Sequence, residues 1–553
     1  MQLTIDKTLA EELLKTLPPD SELAVDLGEG MTFRGECVVD CNRFSDDMIQ
    51  MIIAAAQKAD ARGIVIVCNG ILKARQDPSG AKITSMKALE DAIVTYLLRG
   101  CIDGWLYYKA QDGFFEPMLV GAIRYHPTIP KQQEEHVTIN CYANSKDGQG
   151  GTRSRGEVEV SSEKIHLRKD QCVGKTVDQI FVEMGWYHET PELKAIYEKH
   201  FALFRQMRPK FSQQFVCEGP IMIMEDEESS HGSRYKRPEA RNTNGFPFRC
   251  VNDEELNDKR TFVDRRRSDF WETSRGRHKL DENAFTKLPH DLRLYMYHLD
   301  LHQQFWVHVA CLKPYVYDTK LGEKLVLPDS HRDLIEVLVN DGAVLVDDIV
   351  QGKSGGTTIL SYGPPGLGKT LTAEVYAEVI EKPILKVNAG MLGITIEEVE
   401  ANLKEILKRV QRWQAILLLD EADVYIRKRA NDLTQNAIVA VFLRTLEYFN
   451  GLFFMTTNRG DDVDDAIMSR CIARIHYETP DAKNLYALWK ILGKQFGADL
   501  EPSLINELVE AWPQMSGRDV KELLKLTMRY VRCRDLEYSL DVFRKMGQFR
   551  GLI

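Results

Sequence analysis

Residues 361–380 read "SYGPPGLGKTLTAEVYAEVI", a glycine- and proline-rich loop set between two regular-looking segments. Upstream, "TTIL" (357–360) is β-prone; downstream, Leu371, Val375, Val379 and Ile380 recur at helical spacing. The local order is strand, loop, helix. Gly363, Gly368, Lys369 and Thr370 match G-x-x-x-x-G-K-[ST], in which loop amides and a helix N-terminus face phosphate oxygens. The lysine adds a point charge and the threonine hydroxyl reaches a magnesium ion. The expected cradle is Gly363, Pro364, Pro365, Gly366, Leu367, Gly368, Lys369, Thr370 and Leu371. A similar ending, "KDQCVGKT" (169–176), is discarded because Lys169 stands where the first glycine is required.

A cradle alone binds nucleotide; hydrolysis needs further parts. "AILLLDEADVY" carries an apolar run, Ile416 to Leu419, that reads as a strand buried on both faces and ends on Asp420 and Glu421. Ligands bind at such strand ends in open α/β sheets. Asp420 and Thr370 are the expected magnesium residues, Asp420 through water, and Glu421 the expected base for the attacking water. The next strand candidate, "GLFFMTTN", ends on Thr456, Thr457 and Asn458, and the Asn458 amide suits the lytic water or the γ-phosphate.

These residues resemble the classical AAA branch of the AAA+ ATPases: "GPPGLGKT" is similar to Walker A, "ILLLDE" to Walker B and "TTN" to sensor 1. The resemblance covers about residues 326 to 550, and divergent fungal and bacterial AAA ATPases with long N-terminal regions are nearest in character. It implies an α/β P-loop motor with a C-terminal helical lid, using ATP and Mg2+, preceded here by α+β N-terminal domains. Arg470 in "MSRCIAR" falls where such proteins carry an arginine finger, with Arg474 as its substitute, and Arg518 in "MSGRDVKELL" falls at sensor 2. Such motors act as six-membered rings, so a homo-oligomer, a hexamer, is implied. One departure stands out: after the second strand, "NAGMLGITIEEVEANL" offers Gly393, Ile394, Thr395 and Ile396 in place of the aromatic-glycine pore loop of threading members.

The 553 residues have room for about three or four domains. A content of 44% hydrophobic and 28% charged residues supports a large core. The expected organisation is 1–130 and 131–222 as α+β units, 223–325 as a mobile basic segment with connecting α+β structure, 326–480 as the motor and 481–553 as the lid. No apolar run nears the roughly 20 residues that span a bilayer. "MQLTIDKTLAEELLKTL" reads as an acidic amphipathic helix start, and the eleven scattered cysteines read as reduced core residues, so the expected setting is cytoplasmic. Cys37 and Cys41 lack the second ligand pair a zinc site needs.

In the first 325 residues, 45–60 and 84–99 have helical periodicity, while "GIVIVCNG", "GWLYYKA", "PMLVGAIRYH" and "HVTINCYAN" read as strands. "SKDGQGGTRSRGE" reads as a long loop, and "EDEESSHGSRYKRPEARNTNG" as a mobile segment. His298 and His302, at i and i+4, read as a helix-face or interface pair with His308 nearby. From Lys259 to Lys279 eight Lys or Arg stand against three acids, interleaved with Phe262, Phe270 and Trp271. That stretch reads as a solvated linker offsetting "NDEELND", the alternative being a phosphate-and-stacking surface.

The net charge of −10 argues against a whole-protein nucleic-acid field. The expected function is ATP-driven remodelling of a protein client chosen by the N-terminal region. The alternative is a nucleic-acid-directed AAA+ machine of the loader or initiator type.

Overall fold

The computed structural model describes residues 2–18, 21–29, 36–59, 61–76, 81–99, 101–130, 134–144, 160–228, 234–241, 243, 246–254, 270–273, 276–279, 287–340, 356–393, 395–429, 433–447 and 449–552. The chain opens with β1 (Gln2–Asp6), paired antiparallel with β2 (Glu36–Asp40). Asp6 then caps α1 (Lys7–Leu14) by accepting from Leu9 N at 2.8 Å, so the first turn of the expected helix is a strand. α2 (Glu22–Glu29) and α3 (Asp46–Lys58) follow, then α4 (Arg62–Gln76) and α5 (Met86–Leu98). α4 corrects the strand expected at "GIVIVCNG". Ile64, Val65, Ile66, Val67 and Cys68 are all buried, and a helix covered on every side carries the same unbroken apolar run as a buried strand.

β3 (Trp105–Lys109), β4 (Phe115–His126), β5 (His136–Asn144) and β6 (Val160–Arg168) form an antiparallel sheet. The β4–β5 pairing crosses the boundary expected at 130/131, so those two units share one sheet. α6 (Lys169–Cys172), α7 (Val177–Glu183), β7 (Trp186–His188) and α8 (Pro191–Met207) complete this region. In the discarded "VGKT" ending, Thr176 caps α7 in a box with Gln179, a purely structural use.

A second, seven-stranded sheet joins β8 (Gln214–Cys217), β9 (Ile221–Glu228), β10 (Arg234–Arg241), β11 (Phe248–Asn252), β14 (Arg293–His298), β15 (Gln303–His308) and β16 (Leu312–Pro314) in the order β10-β9-β15-β14-β11-β8-β16. The short β12 (Phe270–Thr273) and β13 (Gly276–Lys279) pair with each other, and β12 joins the first sheet beside β4. The segment expected to be mobile is therefore largely the β9–β10 hairpin. Its register sets Glu225, Asp226 and Glu228 opposite Arg237, Lys236 and Arg234. His298 ends β14 and His302 sits in the following turn at φ +54°, so the pair is on a hairpin and not on a helix. The His298 ring stacks on Phe248, and His308 stacks on Phe114. The loop 145–157 and residues 259–269 lie outside the described residues.

The third sheet is wholly parallel: β17 (Thr357–Tyr362), β18 (Ile384–Val387), β19 (Ile416–Leu419), β20 (Leu452–Thr457) and β21 (Ala473–His476) in the order β18-β19-β20-β17-β21. α9 (Asp329–Asn340), α10 (Lys369–Val379), α11 (Ala389–Leu392), α12 (Ile396–Trp413), α13 (Asp423–Ile426), α14 (Leu433–Leu446) and α15 (Asp465–Arg470) surround or connect it. All four residues of β19 are buried, as expected for a strand covered on both faces. α12 turns Val399, Leu403, Ile406, Leu407, Val410 and Trp413 into one buried stripe, and Thr395 and Glu398 cap its start reciprocally. Ile396, weighed as a gripping residue, packs against this core, and Ile394 lies outside the described residues. α16 (Ala482–Phe496), α17 (Pro502–Ala511), α18 (Gly517–Arg534) and α19 (Leu540–Gln548) form a helical lid with its own core around Trp489, Leu508, Leu523 and Phe543.

The N-terminal sheets meet the parallel sheet's outer helices through a buried polar contact. Asp253, fully buried after β11, accepts from Trp413 Nε1 at 2.8 Å and from Gln304 Nε2 at 3.0 Å. The Arg409 guanidinium lies 4.4 Å over the Tyr297 ring and 3.9 Å from Asp253. Burial pushes the Asp253 carboxyl above its ordinary pKa, and the Gln304 and Trp413 hydrogen bonds with Arg409 oppose the shift. Removing Asp253 strands the buried Trp413 N–H and the half-buried Gln304 amide and leaves Arg409 with Glu405 as its carboxylate partner. Asp253→Ala should cost about 3 kcal/mol, read as a lower urea midpoint by tryptophan fluorescence; an unchanged midpoint would show that the contact carries no stability.

Candidate functional site

The loop between β17 and α10 is shaped by its glycines. At Gly363 (φ +138°) a Cβ would stand 2.2 Å from the Tyr477 carbonyl oxygen. At Gly366 (φ +84°) one would meet Ser516 Oγ at 2.9 Å and Arg518 Cβ at 3.0 Å. Only glycine permits both the backbone sign and the close approach. Gly368 occupies the N-cap of α10 and offers no side chain to its amides, leaving the helix start with its inward-facing positive end.

Lys369 is 7% exposed and donates to Gly363 O at 2.8 Å, Pro364 O at 2.7 Å and Asn458 Oδ1 at 2.9 Å. Burial pulls its ammonium below the ordinary lysine pKa and Arg518 adds to that, while Asp420 and Asp423 hold it up. Next to it, Thr370 Oγ1 donates to Asp420 Oδ1 at 2.8 Å, and Thr456 Oγ1 donates to the same oxygen. The Thr456 hydroxyl in turn accepts from Glu421 N at 3.0 Å. Glu421 holds a left-handed backbone (φ +53°) and is exposed.

Two hydrogen-bonded sets, Lys369 with Asn458 and Thr370 with Asp420 and Thr456, thus lie side by side at the carboxyl ends of β17, β19 and β20. Pro364, Pro365, Leu367 and Leu371 lie along the same loop and first helical turn. Arg518 reaches the loop through its backbone, its N–H donating to Gly366 O at 3.1 Å, at the start of a lid helix capped reciprocally by Ser516 and Asp519. Arg470 is held elsewhere. It ends α15, pairs with Glu447 of the chain's own α14–β20 connection and donates to Ala466 O at 3.1 Å, while Arg474 is exposed on β21.

Two participants escape the motif reading. Asp423 accepts a short hydrogen bond from Thr457, and Ser516 lines Gly366. Asp423 is three residues after Asp420, at the start of α13; Ser516 reads from sequence only as a helix cap, because its place at the loop depends on where the lid docks.

The arrangement can hold a triphosphate and a cation. The donors are the loop amides, the uncapped helix start and Lys369; the oxygen pair is Thr370 and Asp420, hard ligands of the type magnesium takes. The sequence profile of the ATPase family associated with various cellular activities (AAA) matches residues 359–479, the strands and loops just described. The chain carries an AAA ATPase-family domain. Distant relatives agree with the AAA assignment. The human outer mitochondrial transmembrane helix translocase is 25% identical over 233 residues, 40% of this chain and 60% of its own length. A putative 26S proteasome regulatory subunit homolog of Methanocaldococcus jannaschii is 26% identical over 200 residues, 33% and 54% of the two lengths. An uncharacterized AAA family ATPase of Sinorhizobium fredii is 23% identical over 205 residues, 35% and 62%. The chain spans 60% or less of the translocase and the proteasome-subunit homolog, and these alignments cover 40% or less of this chain. AAA proteins are typically oligomeric. Among the described residues no helix of the AAA protein is long and apolar enough to cross a membrane.

The tight approach at Gly363 makes a specific demand on the AAA domain. Gly363→Ala should abolish nucleotide binding by isothermal titration and lower the melting temperature, since the methyl group meets a backbone oxygen that cannot rotate away. Wild-type binding by this variant would contradict the loop geometry.

Proposed function

We propose that the protein is an ATP-hydrolysing mechanoenzyme that assembles as a homo-oligomeric ring, a hexamer, and remodels a protein partner selected by residues 1–325. The observation that carries the reading is the convergence of Lys369, Thr370, Asp420 and Asn458 at one end of a parallel sheet. The names of the translocase and the proteasome-subunit homolog favour a protein client. Eleven free cysteines, most of them buried, fit a reducing, cytoplasmic setting.

In this reading Gly363 to Leu371 bind the phosphates of ATP, and phosphate oxygens compete with the Gly363 and Pro364 carbonyls for the Lys369 ammonium. Thr370 and Asp420 hold Mg2+, Asp420 through water. When bound, the ion supplies charge neutralisation on the phosphate oxygens. Glu421 takes the proton of the attacking water, and Asn458, one residue past β20, orients that water. Arg470 serves the neighbouring subunit's site as the arginine finger, for which it must leave Glu447. Arg518 carries the nucleotide state into the lid through the Gly366 contact.

Lys369→Ala should weaken nucleotide binding, whereas Glu421→Gln should keep binding and lower turnover by about 10²-fold or more. Near-normal turnover in Glu421→Gln would overturn the assignment of the base. For Arg470, alanine should inactivate each ring on its own, since a finger is worth about 10³ to 10⁵ in rate. Co-assembly with Lys369→Ala subunits should restore measurable ATPase activity, because a sound cradle then meets a sound finger; full activity of Arg470→Ala alone would exclude the role.

A further inference from the structure

Strand register gathers cations on one face of β4, β5 and β6. Arg124 and His126 of β4 stand beside His136 of β5, and Lys164, His166 and Arg168 of β6 continue the same face. Thr138 and Asn140 fill the positions between them. The opposite face carries Ile123, Val137, Ile139, Ile165 and Leu167, all buried, so the core itself fixes which side the basic residues take. Arg124, Lys164, His166 and Arg168 are exposed.

The rings form a row between these cations. His126 and His136 stack with centroids 4.7 Å apart, and His136 and His166 lie 5.9 Å apart. Burial first, then the positive charges of His136, Lys164, Arg124 and His166, hold the His126 imidazolium below its ordinary pKa; burial, Lys164, His136 and Arg168 do the same to His166. Glu134 and Glu135 immediately precede β5 on this edge. Glu135 is engaged by Lys169 at 3.0 Å and Tyr125 at 3.2 Å, and Glu134 offers its carbonyl to His136. Like charges that repel one another in the free protein gain most from an anionic ligand.

We propose that this sheet face binds single-stranded nucleic acid. Permanent cations track a phosphate backbone, and flat rings set among them give bases a surface to stack on. The short strand β12 pairs with β4 at Glu272 and Ala122, at the edge of the same sheet. Lys164 and Arg168, four residues apart on one strand, span roughly 13 Å, enough for several nucleotides. This face is separate from the AAA domain's phosphate loop.

The test uses the full chain and a fluorescein-labelled oligouridylate of about 15 nucleotides, followed by anisotropy. Three phosphate contacts predict a loss of affinity of about 20-fold between about 50 and about 200 mM salt. The Lys164→Glu/His166→Glu double variant should bind at least about tenfold more weakly with an unchanged thermal melt and unchanged ATP turnover, and Lys164→Arg should bind as wild type. Wild-type affinity in the double variant, or no binding of the oligonucleotide at low salt, would overturn the proposal. Equal affinity for inorganic polyphosphate, or for phosphatidylserine vesicles, would overturn nucleic acid as the occupant.

Discussion

Parallel register between β17, β19 and β20 is the constraint on which the functional half of the molecule rests. Leu419 pairs with Met455 and Ser361 with Thr456, so the strands end level and hand their next residues to one place. Asp420 then receives hydrogen bonds from Thr370 of α10 and Thr456 of β20. A slip of one residue in β19 would turn Asp420 to the other face and leave both hydroxyls without that acceptor. The apolar continuity of β19 and β20 is what makes such a slip costly.

The lid and the N-terminal sheets attach at different points of this frame. The lid touches the phosphate loop where Gly366 leaves room for Ser516 and Arg518, so a change in the loop reaches the helical domain directly. The N-terminal region touches the far side, at the end of α12, where Trp413 and Arg409 meet Asp253 and Tyr297. α12 ends three residues before β19, which delivers Asp420. The buried polar contact is directional where the surrounding apolar surface is not, and it sets the relative placement of the two regions.

Charge in the N-terminal half is organised by strand pairing. The register of β9 and β10 sets acidic positions opposite basic ones, whereas the β4–β5–β6 face sets bases beside bases. Neither arrangement is visible in linear composition. Their difference lies in what stands opposite, which no window along the chain contains.

The chain's own residues announced the AAA sheet and its loop because that information is local: glycine spacing, Lys369 and Thr370, an apolar run ending on Asp420 and Glu421, and "TTN" after the next run. The helical periodicity of α3 and α5 was legible for the same reason, as were β3, β4 and β5. Tertiary structure decided the rest. α4 read as a strand because burial on all sides erases periodicity. The 225–245 segment read as mobile because it is poor in apolar residues, and its β9–β10 pairing is made across a hairpin. Arg470 could be placed on its loop, but its pairing with Glu447 depends on a residue 23 positions away in sequence. Ser516 at Gly366 and Asp253 at Trp413 join distant segments. Local periodicity and turn chemistry report what a segment prefers; which side chain lies across a gap is set only when the packed layers fix that gap.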